Sequence, residues 1–146
     1  MAWGGSGWYA DMLVDALGTS QLGINLDLDT YKLALYDNSI SPDFTVADAT
    51  YATTGEIAGT GYTAGGKAVT GTTLTVAGAF MVWDGDNVEW TSSTLTGVRG
   101  GQIYADPLSP KRLVIGIDWG SAYSTADGSL LVAWASQGIG RISCIP

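Results

Sequence analysis

The segment from residue 59 to residue 71 constrains the fold more than any other part of this sequence. It reads Gly-Thr-Gly-Tyr-Thr-Ala-Gly-Gly-Lys-Ala-Val-Thr-Gly and contains G-x-x-x-x-G-K, the beginning of a phosphate-binding loop, as well as a G-x-G-x-x-A dinucleotide fingerprint. The phosphate-binding motif continues with Ser or Thr, whereas Ala68 follows the lysine here. Both motifs function between a buried strand and a helix N-terminus. The residues that follow are β-branched and rich in Thr, so they predict a glycine-rich loop that leads into a β-strand.

Alternating apolar and polar residues predict strands through most of the remaining sequence. We expect strands at residues 31–36, 102–105, 113–119, 130–134 and 141–145, and a hairpin over residues 74–91 that turns at residues 84–87. Residues 130–134 are apolar on both faces, which is typical of a central or interface strand. With seven or eight short strands, the predicted fold class is all-β, an antiparallel β-sandwich or barrel with one short N-terminal helix.

The predicted helix extends from Trp8 to Leu17, where apolar residues recur at intervals of three and four, and Gly18 is placed to end it. Residues 1–7 are rich in Gly and Ser and predict a flexible N-terminal arm. Residues 8–146 then form a single β-rich domain. We expect neither a Sec-type signal peptide nor a membrane span, because acidic residues interrupt the N-terminal stretch and no apolar run approaches about 20 residues.

The composition argues for a function based on contact. The chain contains no His, which removes the usual general base and the commonest metal ligand, and its single cysteine, Cys144, excludes an intrachain disulfide. The net charge is −8, and the six basic residues form no stripe that could follow a nucleic-acid backbone. Only 14% of the residues are charged, compared with about 25% in typical soluble domains. A surface so poor in charge indicates that part of it faces another protein.

Two clusters of acidic residues are candidate sites. Asp84, Asp86 and Asn87 resemble a fragment of a calcium loop but lack the distal ligands, so an ordinary hairpin turn is the better interpretation. Asp27 and Asp29 flank a leucine and have no identifiable partner carboxylate, which favours a solvated strand edge over an acid/base pair.

Six tryptophans are the largest apolar side chains of the chain: Trp3, Trp8, Trp83, Trp90, Trp119 and Trp134. In a β-sandwich such residues usually belong to the core or to a protein interface, and a sugar-stacking platform is the alternative. Trp3 is an exception, because a flexible arm offers no local core, and we expect it to anchor a partner. Cys144 is expected to be a small buried hydrophobe in the last strand.

The order of several segments resembles small structural proteins of tailed bacteriophages and prophages, of the head-decoration or cement type. The segments that carry the resemblance are residues 8–13, 29–36, 59–66, 88–95 and 115–121, and the likeness extends over most of the chain. Its most specific parts are Gly-Tyr-Thr-Ala-Gly-Gly and Trp-Thr-Ser-Ser-Thr. Residues 4–7 and 22–26 depart from the family pattern.

The resemblance implies a non-enzymatic virion structural protein, a capsid decoration protein that binds and stabilises the shell of major capsid protein. We expect it on the capsid surface, and in the host cytoplasm during assembly, as a homo-oligomer that is most simply a homotrimer. We expect no cofactor, no metal, no nucleic-acid partner and no membrane partner. The alternative is a module of a tail or fibre that binds host-surface carbohydrate.

Two regions are expected to contact the partner. One is the N-terminal arm with the helix, and the other is the irregular stretch of residues 38–61, in which Pro42 argues against a central strand. The residues that we expect to bind the partner are Trp3, Trp8, Tyr9, Met12, Phe44 and Tyr51.

Overall fold

The structure is a computed structural model that describes residues 2–28 and 30–145. Within these residues, one helix and ten strands follow one another along the chain. They are β1 (Gly7–Trp8), α1 (Ala10–Leu17), β2 (Tyr31–Tyr36), β3 (Lys67–Val69), β4 (Thr73–Ala77), β5 (Phe80–Asp84), β6 (Val88–Ser93), β7 (Val98–Ala105), β8 (Leu113–Tyr123), β9 (Gly128–Val132) and β10 (Gly140–Ser143). The predicted all-β class with one short helix near the N-terminus is confirmed, with more strands than the seven or eight expected.

The ten strands form three antiparallel sheets. The largest has five strands in the order β1-β8-β7-β2-β3, a second has the order β10-β5-β4, and β6 pairs with β9 in the third. The extra strands are short. β1 has two residues, too few for an alternating pattern to be recognised in the sequence, and β3, the strand expected after the glycine-rich loop, has three.

The five-stranded sheet is covered on both faces. On one face, the ring of Tyr31 contacts Trp83 of the three-stranded sheet, with 5.0 Å between ring centroids. On the other face, the amide of Gln102 donates a 2.6 Å hydrogen bond to the hydroxyl of Tyr9, which immediately precedes α1. Consequently, every residue of β2 except Lys32 is buried, and the core extends through both faces of this sheet.

The predicted hairpin over residues 74–91 is wrong. β4 and β5 form a hairpin with each other, and β6 pairs instead with β9, more than thirty residues later in the chain. The turn between β4 and β5 lies at Gly78, whose φ of +60° places it in the left-handed region that glycine adopts without steric cost. Because this turn contains no polar residue, residues 74–82 read in the sequence as one continuous strand.

The N-terminal arm packs against the rest of the chain in its described residues, 2–7. Trp3 is only 5% exposed, and its indole Nε1 donates a 2.9 Å hydrogen bond to the carbonyl of Asp37. A Cβ at Gly100 would lie 2.9 Å from the Trp3 ring, so this glycine makes room for the indole. The expectation that Trp3 has no local core is therefore corrected, because residues distant in sequence supply that core.

Helix α1 begins two residues later than predicted. Trp8 belongs to β1, and Tyr9 has extended backbone angles at the N-cap position. The helix ends at Gly18 as expected, where the Gly18 N–H donates to the Val14 carbonyl at 2.7 Å, although Gly18 is itself extended rather than left-handed. Met12 points into the core. Within the described residues, this is the longest helix, and no helix is long and apolar enough to cross a membrane.

Candidate functional site

The glycine-rich segment is a packing element. A Cβ at Gly66 would lie 1.8 Å from the carbonyl oxygen of Leu33, and one at Gly59 would lie 2.3 Å from the carbonyl oxygen of Thr94. Contacts this short are impossible for a residue with a side chain, so the glycines let the segment lie directly against β2 and the end of β6. This close approach explains the glycine pattern that resembles a nucleotide motif.

The lysine of the apparent phosphate-binding motif is part of a strand. Lys67 is the first residue of β3, and its Nζ donates a 2.6 Å hydrogen bond to the backbone carbonyl of Glu89. The predicted loop leading into a strand is thus confirmed. No helix N-terminus follows the loop in the described chain, so the backbone arrangement that binds phosphate does not form here.

Glu56 fixes the glycine-rich segment to the irregular stretch of residues 38–61. Its carboxylate accepts hydrogen bonds from the hydroxyls of Tyr51 and Tyr62, each at 2.6 Å, and from the Gly65 N–H at 2.7 Å. The Tyr62 hydroxyl in turn accepts a 3.0 Å hydrogen bond from the Leu35 N–H in β2. One carboxylate therefore connects the loop to the central sheet.

The tyrosines around Glu56 remain protonated over the physiological pH range. Burial, followed by the hydrogen bond to Glu56, raises the pKa values of Tyr51 and Tyr62. Burial also raises the pKa of Tyr104 to about 12, with smaller effects from the charges of Asp106 and Glu56. Neutral hydroxyls at these positions act as hydrogen-bond donors, so the cluster holds the loop in place.

A second polar cluster surrounds Arg112, which is 6% exposed. Its Nη1 donates to Asp15 and Asp48 at 2.9 Å each, and its Nη2 donates to Asp11 at 3.1 Å. Oxygen atoms of the three carboxylates lie within 4.8 Å of one another. The Arg112 guanidinium lies among the three carboxylates, and its positive charge reduces the repulsion between them. The cluster joins α1, the irregular stretch and the strand that follows Arg112.

The residues predicted to bind a partner are largely internal. Trp3, Tyr9 and Met12 are buried, and Trp8, Phe44 and Tyr51 are half-buried, so none of the six is exposed. The structure brings two of them together, since the rings of Tyr9 and Phe44 meet at 5.2 Å in an edge-to-face contact. In the folded chain these side chains pack in or against the core, with the Trp8 ring 5.7 Å from that of Trp83, and they offer little surface to a partner.

The remaining sequence predictions concern Cys144 and the two acidic clusters. Cys144 is exposed, so its predicted burial is wrong; it lies just beyond β10, where the chain leaves the sheet. Asp27 accepts a hydrogen bond from the Leu74 N–H of β4 at 3.0 Å, whereas Asp29 lies outside the described residues. Asp86 accepts a 2.9 Å hydrogen bond from the Thr70 hydroxyl, which ties the turn before β6 to the chain after β3.

The tryptophans are mainly core residues. Trp3, Trp83 and Trp90 are buried, and Trp8, Trp119 and Trp134 are half-buried. The fully buried indole of Trp83 donates its N–H to the Leu26 carbonyl at 2.8 Å, as a buried indole requires.

An apolar cleft opens where β8 and β9 diverge, and it is the best candidate for a contact site. Its volume is about 310 Å³. It is lined by Trp119 and Tyr123 of β8 and by Leu130, Leu131, Val132 and Ala133 of β9 and the residue after it. Leu131 is 55% exposed and Tyr123 is 51% exposed, so a large apolar surface reaches solvent beside the cleft.

The near-absence of charged residues in this part of the sequence indicates this site, although the alternation that predicts strands does not. Between Asp118 and Arg141, Asp127 is the only charged residue. β9, predicted as a central or interface strand, is an edge strand with β6 as its one strand partner among the described residues. An uncharged stretch that forms an edge strand is the combination that points to a contact surface. Comparison with protein-family models, with curated proteins and with solved structures found no match to this chain.

Proposed function

We propose that this chain is a structural protein of a phage virion, a capsid decoration protein that binds the shell of major capsid protein and stabilises it. The observation that carries the proposal is the uncharged, apolar surface around the cleft between β8 and β9. An acidic protein with a net charge of −8 exposes here a stretch with one charged residue in its length. Exposed apolar patches of this kind are typical of protein–protein contact sites.

The resemblance to head-decoration proteins supports the choice of partner. Two of its segments, residues 88–95 and 115–121, contain β6 and the part of β8 that leads into the cleft. A stable contact of this type buries roughly 1,200–2,000 Å². Repeated over a shell, such contacts resist the outward pressure of packaged DNA, and the acidic remainder of the surface repels nucleic acid.

Self-association fits the same function. A homotrimer placed where capsid subunits meet engages several neighbouring subunits at once, and this multivalency slows dissociation even when each contact is weak. On this proposal the chain is located on the capsid surface, after a period in the host cytoplasm during assembly.

The proposal is tested by mixing the purified chain with shells assembled from the major capsid protein of the same phage. We expect the chain to sediment with the shells, to saturate at a fixed ratio to capsid subunits, and to raise the temperature at which the shells break open. Cryo-electron microscopy of the complex should show the chain on the outer lattice. A chain that stays in the supernatant at every concentration, and leaves shell stability unchanged, contradicts the proposal.

One observation favours the alternative of a carbohydrate-binding module on a tail or fibre. Trp119 and Tyr123 both line the cleft, and aromatic rings at a cleft are a common platform for sugars. This alternative predicts that host-surface oligosaccharides change the tryptophan fluorescence of the wild-type chain and that Trp119→Ala removes the change. Fluorescence that is indifferent to the oligosaccharides argues against it.

A further inference from the structure

The outer edge of β9 has unpaired backbone groups. β6 pairs with one side of β9 in antiparallel register, from Val88 opposite Val132 to Trp90 opposite Leu130. No other strand among the described residues pairs with β9, and no hydrogen bond from another described backbone or side chain reaches its outer side. The N–H and C=O groups on this side are therefore available to an added strand.

The edge also lacks the features that normally prevent strand addition. Natural edge strands are protected by charged residues, by proline or by covering groups. β4 shows such protection, because the Asp27 carboxylate accepts a hydrogen bond from the Leu74 N–H on its free side. β9 has neither charge nor proline in Gly128–Val132, and the uncharged sequence continues to Gly140.

The cleft lies beside this edge and can accept a side chain. In an added strand, successive side chains point to opposite faces of the sheet, so every second side chain lies on the same face. A cleft of about 310 Å³ lined by Trp119 and Tyr123 is large enough for one bulky apolar side chain. When a strand is added to a sheet edge, backbone hydrogen bonds provide affinity and a pocket of this kind provides specificity.

The charges around the edge are complementary to a basic segment. Glu89 lies directly opposite Leu131 in the ladder and is exposed, and the exposed Asp127 precedes the first residue of β9. Neither carboxylate forms a salt bridge with a described residue. Lys67 lies close to Glu89, but its Nζ binds the Glu89 backbone carbonyl rather than the carboxylate, so Lys or Arg at the ends of a bound segment would still be attracted to both carboxylates.

We infer that β9 receives an extended segment of the partner by strand addition, with a large apolar side chain of that segment in the cleft and basic residues flanking it. This inference rests on the proposed function, in which the partner is the major capsid protein. It names the means of attachment: a strand of the shell subunit continues the β6-β9 sheet.

The first experiment measures binding of variants to the assembled shells. Leu131→Lys places a charge on the exposed edge, and we expect it to weaken binding roughly ten-fold, the loss typical of a central contact residue. Val76→Lys is the matched control, because Val76 is 84% exposed on β4 of another sheet and should have no effect. Equal binding of Leu131→Lys and the parent, with the shells still decorated, overturns strand addition while leaving the decoration function intact.

The second experiment identifies what occupies the edge. In a cryo-electron microscopy map of the decorated shell, we expect a strand of the major capsid protein beside Gly128–Val132. A second copy of this chain in that position, or an edge that remains open to solvent, overturns the inference.

A third experiment does not depend on the shell. The probe is an acetylated eight-residue peptide in which Thr alternates with Val and Leu between terminal Lys residues. We expect it to shift the NMR signals of the β9 amides and of the Trp119 indole, and a proline-containing version of the peptide should not. Glu89→Lys should reverse the preference, so that a peptide with Glu in place of Lys binds better.

These outcomes separate the two proposals. Peptide binding to β9 without binding to shells supports strand addition and overturns the capsid protein as its source. A peptide that leaves the β9 signals unchanged, or binds Glu89→Lys in the same way as the parent, overturns strand addition.

Discussion

The guanidinium of Arg112 donates a 2.9 Å hydrogen bond to the carboxylate of Asp15, a residue 97 positions earlier in the chain. Together with Asp11 and Asp48, this contact holds α1 and the irregular stretch of residues 38–61 against the large sheet at the point where β8 begins. The three carboxylates depend on the positive charge of Arg112, because without it they would face one another and repel.

Arg112→Gln should therefore destabilise the protein by about 2 kcal/mol, less than the loss of one partner of a fully buried ion pair, because the Asp11, Asp15 and Asp48 side chains are 30%, 23% and 79% exposed. The measurement is the free energy of unfolding in urea. Arg141→Gln is the control, since Arg141 is exposed and lies over the Phe80 ring at 4.3 Å, a contact that contributes about 0.5–1 kcal/mol. Similar losses for the two variants would show that the Arg112 cluster does not hold the helix in place.

Gly66→Ala should be among the most damaging small substitutions in the chain. Its Cβ would lie 1.8 Å from the Leu33 carbonyl oxygen, and its φ is +74°, so both space and backbone conformation oppose a side chain. We expect a loss of about 3 kcal/mol or more in the free energy of unfolding.

Gly78→Ala separates these two causes. Gly78 also has a positive φ, +60°, but no heavy atom outside its own chain neighbours lies within 4 Å of the point that a Cβ would occupy. The loss should be about 1 kcal/mol, the cost of left-handed backbone alone. If both alanine variants lose the same amount, the close approach of the glycine-rich segment to β2 contributes nothing.

Glu56→Gln retains the shape of the side chain but replaces one acceptor oxygen with a donor. Since Glu56 accepts hydrogen bonds from Tyr51, Tyr62 and the Gly65 N–H, the amide nitrogen of Gln cannot accept at one of these positions, and the donor that faces it loses its charged acceptor. We expect a loss of about 2 kcal/mol and faster amide hydrogen exchange in residues 59–66. Glu89→Gln, at an exposed site, should change neither quantity, and an unaltered exchange rate in Glu56→Gln would contradict the role of Glu56.

Stability should fall at acidic pH, in part because of Asp118. The hydrogen bond from the Arg99 side chain holds the pKa of Asp118 below its ordinary value of 3.8, against the opposing effect of partial burial. The unfolded chain therefore binds this proton more readily than the folded chain does. The stabilisation from Asp118 is present above its unfolded pKa and is lost as the pH falls through the lower pKa of the folded state.

The check is the urea midpoint between pH 6 and pH 2.5. Asp118→Asn should be less stable than the parent at pH 6, and the difference should shrink below pH 4 as the carboxylate of the parent becomes protonated. A difference that stays constant over this range would mean that Asp118 contributes through packing rather than through its charge.

The local sequence was sufficient to predict those helices and strands whose backbone conformation is determined by neighbouring residues. The alternation in residues 31–36 and 113–119 predicted β2 and most of β8, and Gly18 marked the end of α1. The residues after the glycine-rich segment predicted β3 correctly, because β-branched side chains favour extended backbone wherever they occur. In each case the decisive information lies within a few positions of the element.

Contacts between distant residues could not be predicted in this way. Trp3 is buried because Gly100 leaves space for its ring, and no residue near Trp3 in sequence indicates that. The partner of β6 is β9 rather than the nearer β5, since Val88 and Trp90 find their apolar neighbours there. For the same reason the sequence predicted a contact surface on the helix and residues 38–61, and its strand patterns did not indicate the exposed apolar surface beside β9.

The sequence by itself determined that this chain is an all-β protein with one short helix and a charge-poor surface, because backbone preference and ionisation are properties of individual residues. The tertiary structure alone decided which aromatic side chains are covered and which strand edge remains open. Burial and strand pairing depend on what lies across the core, and that is set by residues that are far apart in the chain.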